Sequence, residues 1–291
     1  MIHVDLNKLT LSPEWEARAR KLTRKLKAMP SDDQSDFIEK NRELTWGAKE
    51  VLAALRKIVG NKCWYSEVPL EGADPNIDHF RPKGQVREVN ADLQNTQTTS
   101  PGYRWLAFEC WNFRLSSMHA NQRRVDVDTN GGKWDYFPVL GARAAEGTPC
   151  LAIVENALAL DLCSASDVSL LWFDPDGIPC CSKWKRQPNA LDQQRVKTTI
   201  WLYHLNKREI ETKRGSHMRQ IHTDLAQADA QYQMWNRDST NPNLQAKNGF
   251  DHKIAEIKAK LADDAEFAGA KRCAVRAAIA DYDWIDEFVV F

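Results

Sequence analysis

The apolar positions of this chain keep helical spacing at both ends and lose it in the middle. Trp15, Ala19, Leu22 and Leu26 recur every three or four residues and predict an amphipathic helix up to Met29. Ser12-Pro13 suits its start, because the serine oxygen can cap free amides and proline fits the first turn. A second start at Ser31-Asp32-Asp33 leads through Phe37, Leu44, Ala48, Leu52 and Leu55 to a stop at Gly60. The pattern therefore predicts two N-terminal helices. From Pro188 onward helical spacing returns over residues 190–204, 207–235 and 247–262, with a shorter helix near 264–280 and a loop at 236–243.

Between Asn61 and about Lys133 the apolar residues come in short pieces separated by turn residues. "GADPN" (72–76) is a turn cluster. "GQVREVNADLQNTQTTSPG" (84–102) has almost no large apolar residue and reads as a surface loop, whereas "YRWLAFECWNF" (103–113) reads as buried. "SLLWFDPDGIPC" (169–180) predicts a β-hairpin turning at Asp176-Gly177. The expected layout is an α+β chain, mostly helical, with a helical region at 1–60, a small irregular centre at 61–135, and a hairpin plus helices at 136–291.

Composition narrows the class. The 291 residues are 43% hydrophobic and 27% charged, which fits a globular chain with a real core and excludes general disorder. With 40 basic and 40 acidic residues, a nucleic-acid partner would have to meet a local basic patch. No run of about 18 apolar residues occurs, so no membrane span is expected. The opening residues lack the layout of a secretory signal. The seven cysteines form no CxxC pair, which fits reduced thiols in a cytoplasm.

"IDHFRPKG" (77–84) gathers Asp78, His79, Arg81 and Lys83 within six residues, after "CWYSE" at 63–67. A histidine beside an acid is a weak signal alone, since a solvated surface pair is the bland explanation. Its continuation carries more weight: Asn112 follows in "CWNFRL" and Asn121 in "HANQRR". This order resembles the HNH, or ββα-metal, nuclease motif in its His-Asn-Asn variant. The resemblance widens through "CWYSE", "IDHFRPK", "YRWLAFECWNFRLSS", "GGKWDYFPV" and "TTIWLYHLNKREIETKR" to the bacterial HNH family typified by PtuB, the nuclease partner of Septu and some retron defence systems. It covers roughly residues 60–214.

The resemblance implies a small central ββα-metal fold, with Asp78-His79 on the first strand, Asn112 near the second and Asn121 on the helix. It implies endonuclease activity on DNA within an anti-phage system, beside an ATPase partner. Phosphodiester hydrolysis needs a deprotonated water, and neutral imidazole is a competent base near pH 7, which points to His79. A Mg²⁺ or Mn²⁺ ion favours oxygen ligands, which Asp78 and Asn121 can supply. Asn112 would fix the loop that positions His79. Arg81, Lys83, Arg123 and Arg124 can hold phosphates, or be ordinary solvated cations. Adjacent strand residues face opposite sides, so the strand must end or bulge for Asp78 and His79 to serve one site.

One feature of the family is missing. Its two CxxC knuckles correspond here to Cys63, Ser66, Ser117 and Ala120, and a single thiolate does not make a zinc site, so no structural zinc is expected. Trp64, Phe80, Trp105, Phe108 and Trp111 are expected to hold the region by packing. His204, His217, His222 and His252 read as surface or interface residues of helices. Trp15, Trp46, Trp201, Trp235 and Trp284 suit either core or interface. Two alternatives stay open: a catalytically weak subunit of the same fold that docks onto the ATPase, and a nuclease that cleaves RNA.

Overall fold

The computed structural model describes all residues except 73–74, 126–128, 185, 239 and 290–291. The turn cluster at 72–76 and the loop at 236–243 therefore lie partly outside the described residues. Helices make up about half of the chain, and the described strands pair as five separate two-stranded antiparallel sheets. The architecture is α+β. No helix is long and apolar enough to cross a membrane among the described residues.

Helix α1 (Pro13–Lys27) forms as its sequence dictates: the Ser12 hydroxyl accepts from the Trp15 amide, and Trp15, Ala19, Leu22 and Leu26 are buried. Glu14 and Glu16 near its start and Lys25 and Lys27 near its end complement the helix dipole. The expected single helix from Ser31 to Gly60 is instead α2 (Ser31–Lys40), a 3-10 turn at Arg42–Leu44, and α3 (Lys49–Val59). The break has a visible cause. Asn41 and Thr45 turn their side chains back onto the Phe37 and Asn41 carbonyls. This local competition with the helix ladder lets Trp46 swing into the core, where it is 6% exposed.

Strand β1 (Pro75–His79) pairs with β4 (Phe113–Ser117), and the one-turn helix α4 (Met118–Asn121) follows directly, its start capped by the Ser117 hydroxyl. Between them lies β2 (Val86–Val89) paired with β3 (Asn95–Ser100), where a surface loop was expected. The stretch lacks apolar residues because β3 is almost wholly exposed, and Val86 is buried in the core with Val89 packed against it. Polar threonines on a solvated hairpin leave no alternation for a sequence reading to detect.

Short pairs follow: β5 (Arg124–Val125) with β6 (Asn130–Gly131), and β7 (Val139–Leu140) with β8 (Asn156–Ala157). After α5 (Ala165–Val168), the hairpin of β9 (Leu171–Phe173) and β10 (Pro179–Cys181) turns at Asp176-Gly177 as expected. Gly177 is in the left-handed region, and a Cβ there would lie 2.4 Å from the carbonyl oxygen of Glu211, so only glycine lets the turn approach the later helix that begins at Arg208.

Helix α6 (Ala190–Tyr203) begins with a capping box between Asn189 and Asp192, and packs on β10 and α4. Then α7 (Arg208–Asn236), α8 (Leu244–Leu261), α9 (Ala268–Ala277) and α10 (Ile285–Phe288) close the chain. Phe250 and Trp284 meet edge to face at 5.2 Å within this helical sheaf. Trp15, Trp46 and Trp284 all belong to the core, so they are not available as docking residues. His204, expected at a surface or interface, is fully buried and adopts a left-handed conformation at the end of α6.

Candidate functional site

The strand–strand–helix unit brings the sequence candidates close to one another. Asp78 and His79 are the last two residues of β1, Asn112 immediately precedes β4, and Asn121 is the last residue of α4. The register is regular, with Asp78 opposite Arg114 and His79 opposite Phe113. No bulge turns the two side chains to one side, and they find different partners.

Asp78 is 4% exposed, and both oxygens of its carboxylate are engaged by two neighbours. The Lys133 ammonium donates to Oδ1 at 2.6 Å and to Oδ2 at 2.8 Å, and also to the His79 carbonyl oxygen. The Tyr65 hydroxyl donates to Oδ2 at 2.7 Å. Tyr65 is held in place by stacking on Tyr203 with ring centres 3.6 Å apart. Burial pushes the Lys133 ammonium below its ordinary value, while Asp78 works against that shift. Desolvating two ions is expensive, and only this density of charge-assisted hydrogen bonds makes such a pair tolerable.

Lys133 reaches this position through the glycine pair before it. Gly132 is in the left-handed region, and a Cβ on it would lie 1.8 Å from the Gln122 carbonyl oxygen. The chain thus passes tightly against the end of α4, and the Lys133 amide bonds to the Ala120 carbonyl at 2.9 Å. From there the side chain runs inward to Asp78.

His79 is 6% exposed, boxed edge to face by Trp46 at 5.0 Å and Phe113 at 5.1 Å. Its Nε2 lies 2.9 Å from the Ala107 carbonyl oxygen and must donate to it, which leaves Nδ1 as the acceptor nitrogen. Burial drives its pKa down to about 3, with Lys83 and Lys133 adding to the effect and the Ala107 bond opposing it. The imidazole is therefore neutral, and a weak base. Asn112 clamps the turn beyond β1: its Oδ1 accepts from the Arg81 amide at 2.8 Å, and its Nδ2 donates to the Arg81 carbonyl at 2.9 Å.

A divalent ion implied by the family resemblance can be tested against these donors. Mg²⁺ needs several oxygens at roughly 2.0–2.1 Å in octahedral array. Both Asp78 oxygens already accept from an ammonium, and Asn121 shares no hydrogen-bond partner with Asp78 among the described residues. No group of three or more His, Cys, Asp or Glu side chains placed to hold a metal is found among the described residues. The residues present do not fit the ion. Lys133 supplies the positive charge instead.

Of the four positions compared above with the family's knuckles, Cys63 and Ser66 are buried, Ala120 is buried in α4, and the Ser117 hydroxyl is spent on the helix cap at 3.2 Å. Trp64, Phe80, Trp105 and Phe108 are buried around this unit, and Trp111 is partly buried against the same core.

Set against known proteins, no family model matches the chain. The chain is similar to Septu protein PtuB of Bacillus mycoides (strain KBAB4). The two are 26% identical over 163 residues, 55% of this chain and 48% of that protein. The chain thus matches about half the length of this curated relative.

The four candidate phosphate-holding cations differ in their partners and exposure. Arg81 is committed to Glu155 at 2.7 Å and is mostly buried. Lys83 lies 3.5 Å from Glu39 and over the Trp46 ring. Arg123 bonds to Asn130 at 2.5 Å and lies 4.6 Å from the centre of the Trp201 ring. Arg124 is exposed on β5. Sequence reasoning missed Lys133 and Tyr65, the two residues that decide the chemistry of Asp78. The available signal was "GGKW", where a glycine doublet ahead of a lysine marks a backbone close approach.

Proposed function

We propose that this chain is a component of a Septu-type anti-phage defence system that acts by assembling with a partner ATPase, and that its strand–strand–helix centre is a structural core. The observation that carries this reading is the buried Asp78–Lys133–Tyr65 cluster. It fills the position where the resembled nucleases would bind their ion, and it has no unsatisfied carboxylate oxygen to offer. The likeness to a Septu protein supports the defence setting.

A specific observation favours a second reading, hydrolysis of DNA or RNA. Asn112 clamps the turn beside His79, and the Nε2 bond to Ala107 leaves Nδ1 able to take a proton, the arrangement a general base requires. Burial of that ring and its lowered pKa weigh against it.

The test uses the purified chain, alone and with any partner recovered by co-expression of neighbouring genes. Each is incubated with plasmid DNA, oligonucleotides and RNA in Mg²⁺ or Mn²⁺, beside phage challenge of cells carrying the system. Assembly predicts a stable complex, no divalent-dependent cleavage, and protection that survives His79→Gln, which can still donate to Ala107. Cleavage abolished by His79→Gln in a folded protein, with protection lost alongside, overturns it in favour of the nuclease.

A further inference from the structure

Away from the Asp78 centre, a groove of about 1490 Å³ opens between the β9–β10 hairpin, α6 and the tip of the β2–β3 hairpin. Its lining includes the apolar side chains of Val196, Ile200 and Ala277. Burial pushes the Cys180 thiol up to about 11, so it lines the groove as an uncharged group. The walls are aromatic. Trp184 is 45% exposed and stacks nearly parallel on Trp172, 5.9 Å between ring centres. Trp201 also lines the groove, with the guanidinium of Arg123 4.6 Å from its ring centre.

The polar groups on this groove are those of a nucleotide reader. Lys183 and Lys197 are exposed on its rim, and neither has a carboxylate at ion-pair distance among the described residues. Asp92 is the one acid among the lining residues described. Gln94, Gln193 and Asn206 add amide groups able to donate and accept along a base edge. Exposed tryptophan faces paired with unneutralised cations are what single-stranded nucleic acid uses: bases stack and phosphates find the lysines. Pockets for small ligands run to about 1,000 Å³, so this groove exceeds the needs of one nucleotide.

We infer that the groove between the β9–β10 hairpin and α6 binds a segment of single-stranded nucleic acid, with the Trp172–Trp184 pair as stacking platform and Lys183 and Lys197 as phosphate contacts. The site is separate from Asp78 and does not depend on whether that centre hydrolyses anything. Its occupant is a strand because the groove of about 1490 Å³ exceeds one nucleotide and its lining combines several aromatic and cationic groups.

The experiment is fluorescence anisotropy of a labelled oligothymidylate with the purified full chain, over a range of salt, with a duplex of the same length and a mononucleotide as competing arms. The parent is expected to bind the strand in preference to both. Trp184→Ala should weaken binding about tenfold or more, as loss of one stacked base does. The double variant Lys183→Ala, Lys197→Ala should flatten the salt dependence by roughly 0.7 per lost phosphate contact. All three side chains are exposed, so unchanged thermal melting will show the variants folded. Failure of the parent to bind overturns the inference. So does equal binding of duplex or mononucleotide, or strand binding that neither variant weakens.

Discussion

The Asp78 centre and the Trp184 groove are opposites. At the first, every charged atom has a partner inside the protein, and the side chains are 1–6% exposed. At the second, aromatic faces and lysines are left open to solvent beside a large void. Motif resemblance points to the first, and nothing in the motif points to the second. The lesson is one of electrostatics: a carboxylate and a histidine next to each other in sequence do not make a reactive site unless the fold leaves them something to do. On the reading proposed above, Lys133 and the Ala107 carbonyl already occupy Asp78 and the Nε2 of His79.

The sharpest way to break the comparison is to open the closed centre. Asp78→Ala strips the buried Lys133 of its counter-charge and should destabilise the protein by about 3–5 kcal/mol in denaturant unfolding. If Asp78 is instead a solvated, reactive group, the loss will be below about 1 kcal/mol. The double change Asp78→Leu, Lys133→Met should recover most of the loss, because an apolar pair carries no desolvation cost.

Acid should act next most strongly. His79 has an ordinary value of 6.5 when unfolded and about 3 when folded, so the unfolded chain binds more protons between those limits. Its contribution is complete above pH 6.5 and is lost as pH falls toward 3, at roughly 1.4 kcal/mol per unit, or about 2 kcal/mol by pH 5. His217, also lowered but only partly buried, adds a smaller share in the same direction. Chemical unfolding from pH 7 to 5 should show this slope, and His79→Gln should remove most of it. A flat profile in the parent means that His79 is hydrated and able to protonate, as a working base would be.

The smallest effect expected is that of Tyr65→Phe. It removes one donor from Asp78 while keeping the ring stacked on Tyr203, and should cost about 1–2 kcal/mol. A null result would mean that water reaches Asp78 and replaces the hydroxyl, which would move this centre toward the open character of the groove.

The local rules of the sequence determined much of this molecule. The cap at Ser12, the buried stripe of α1, the Asp176-Gly177 turn and the long C-terminal helices follow from spacing and turn chemistry within a few residues. The placement of Asp78-His79 at a strand end, Asn112 beside a second strand and Asn121 on a short helix was expected from the family resemblance rather than from these local rules. Only the tertiary structure decided that the second helix breaks so that Trp46 can cover His79, and that a polar stretch pairs as β2 and β3. Only it could bring Lys133 to Asp78, 55 residues apart in the chain, and set Trp184 beside α6. Periodicity reports which face of an element is apolar. Whether a charge is reactive or spent depends on which distant side chain reaches it, and that is settled by long-range packing, not by neighbours in sequence.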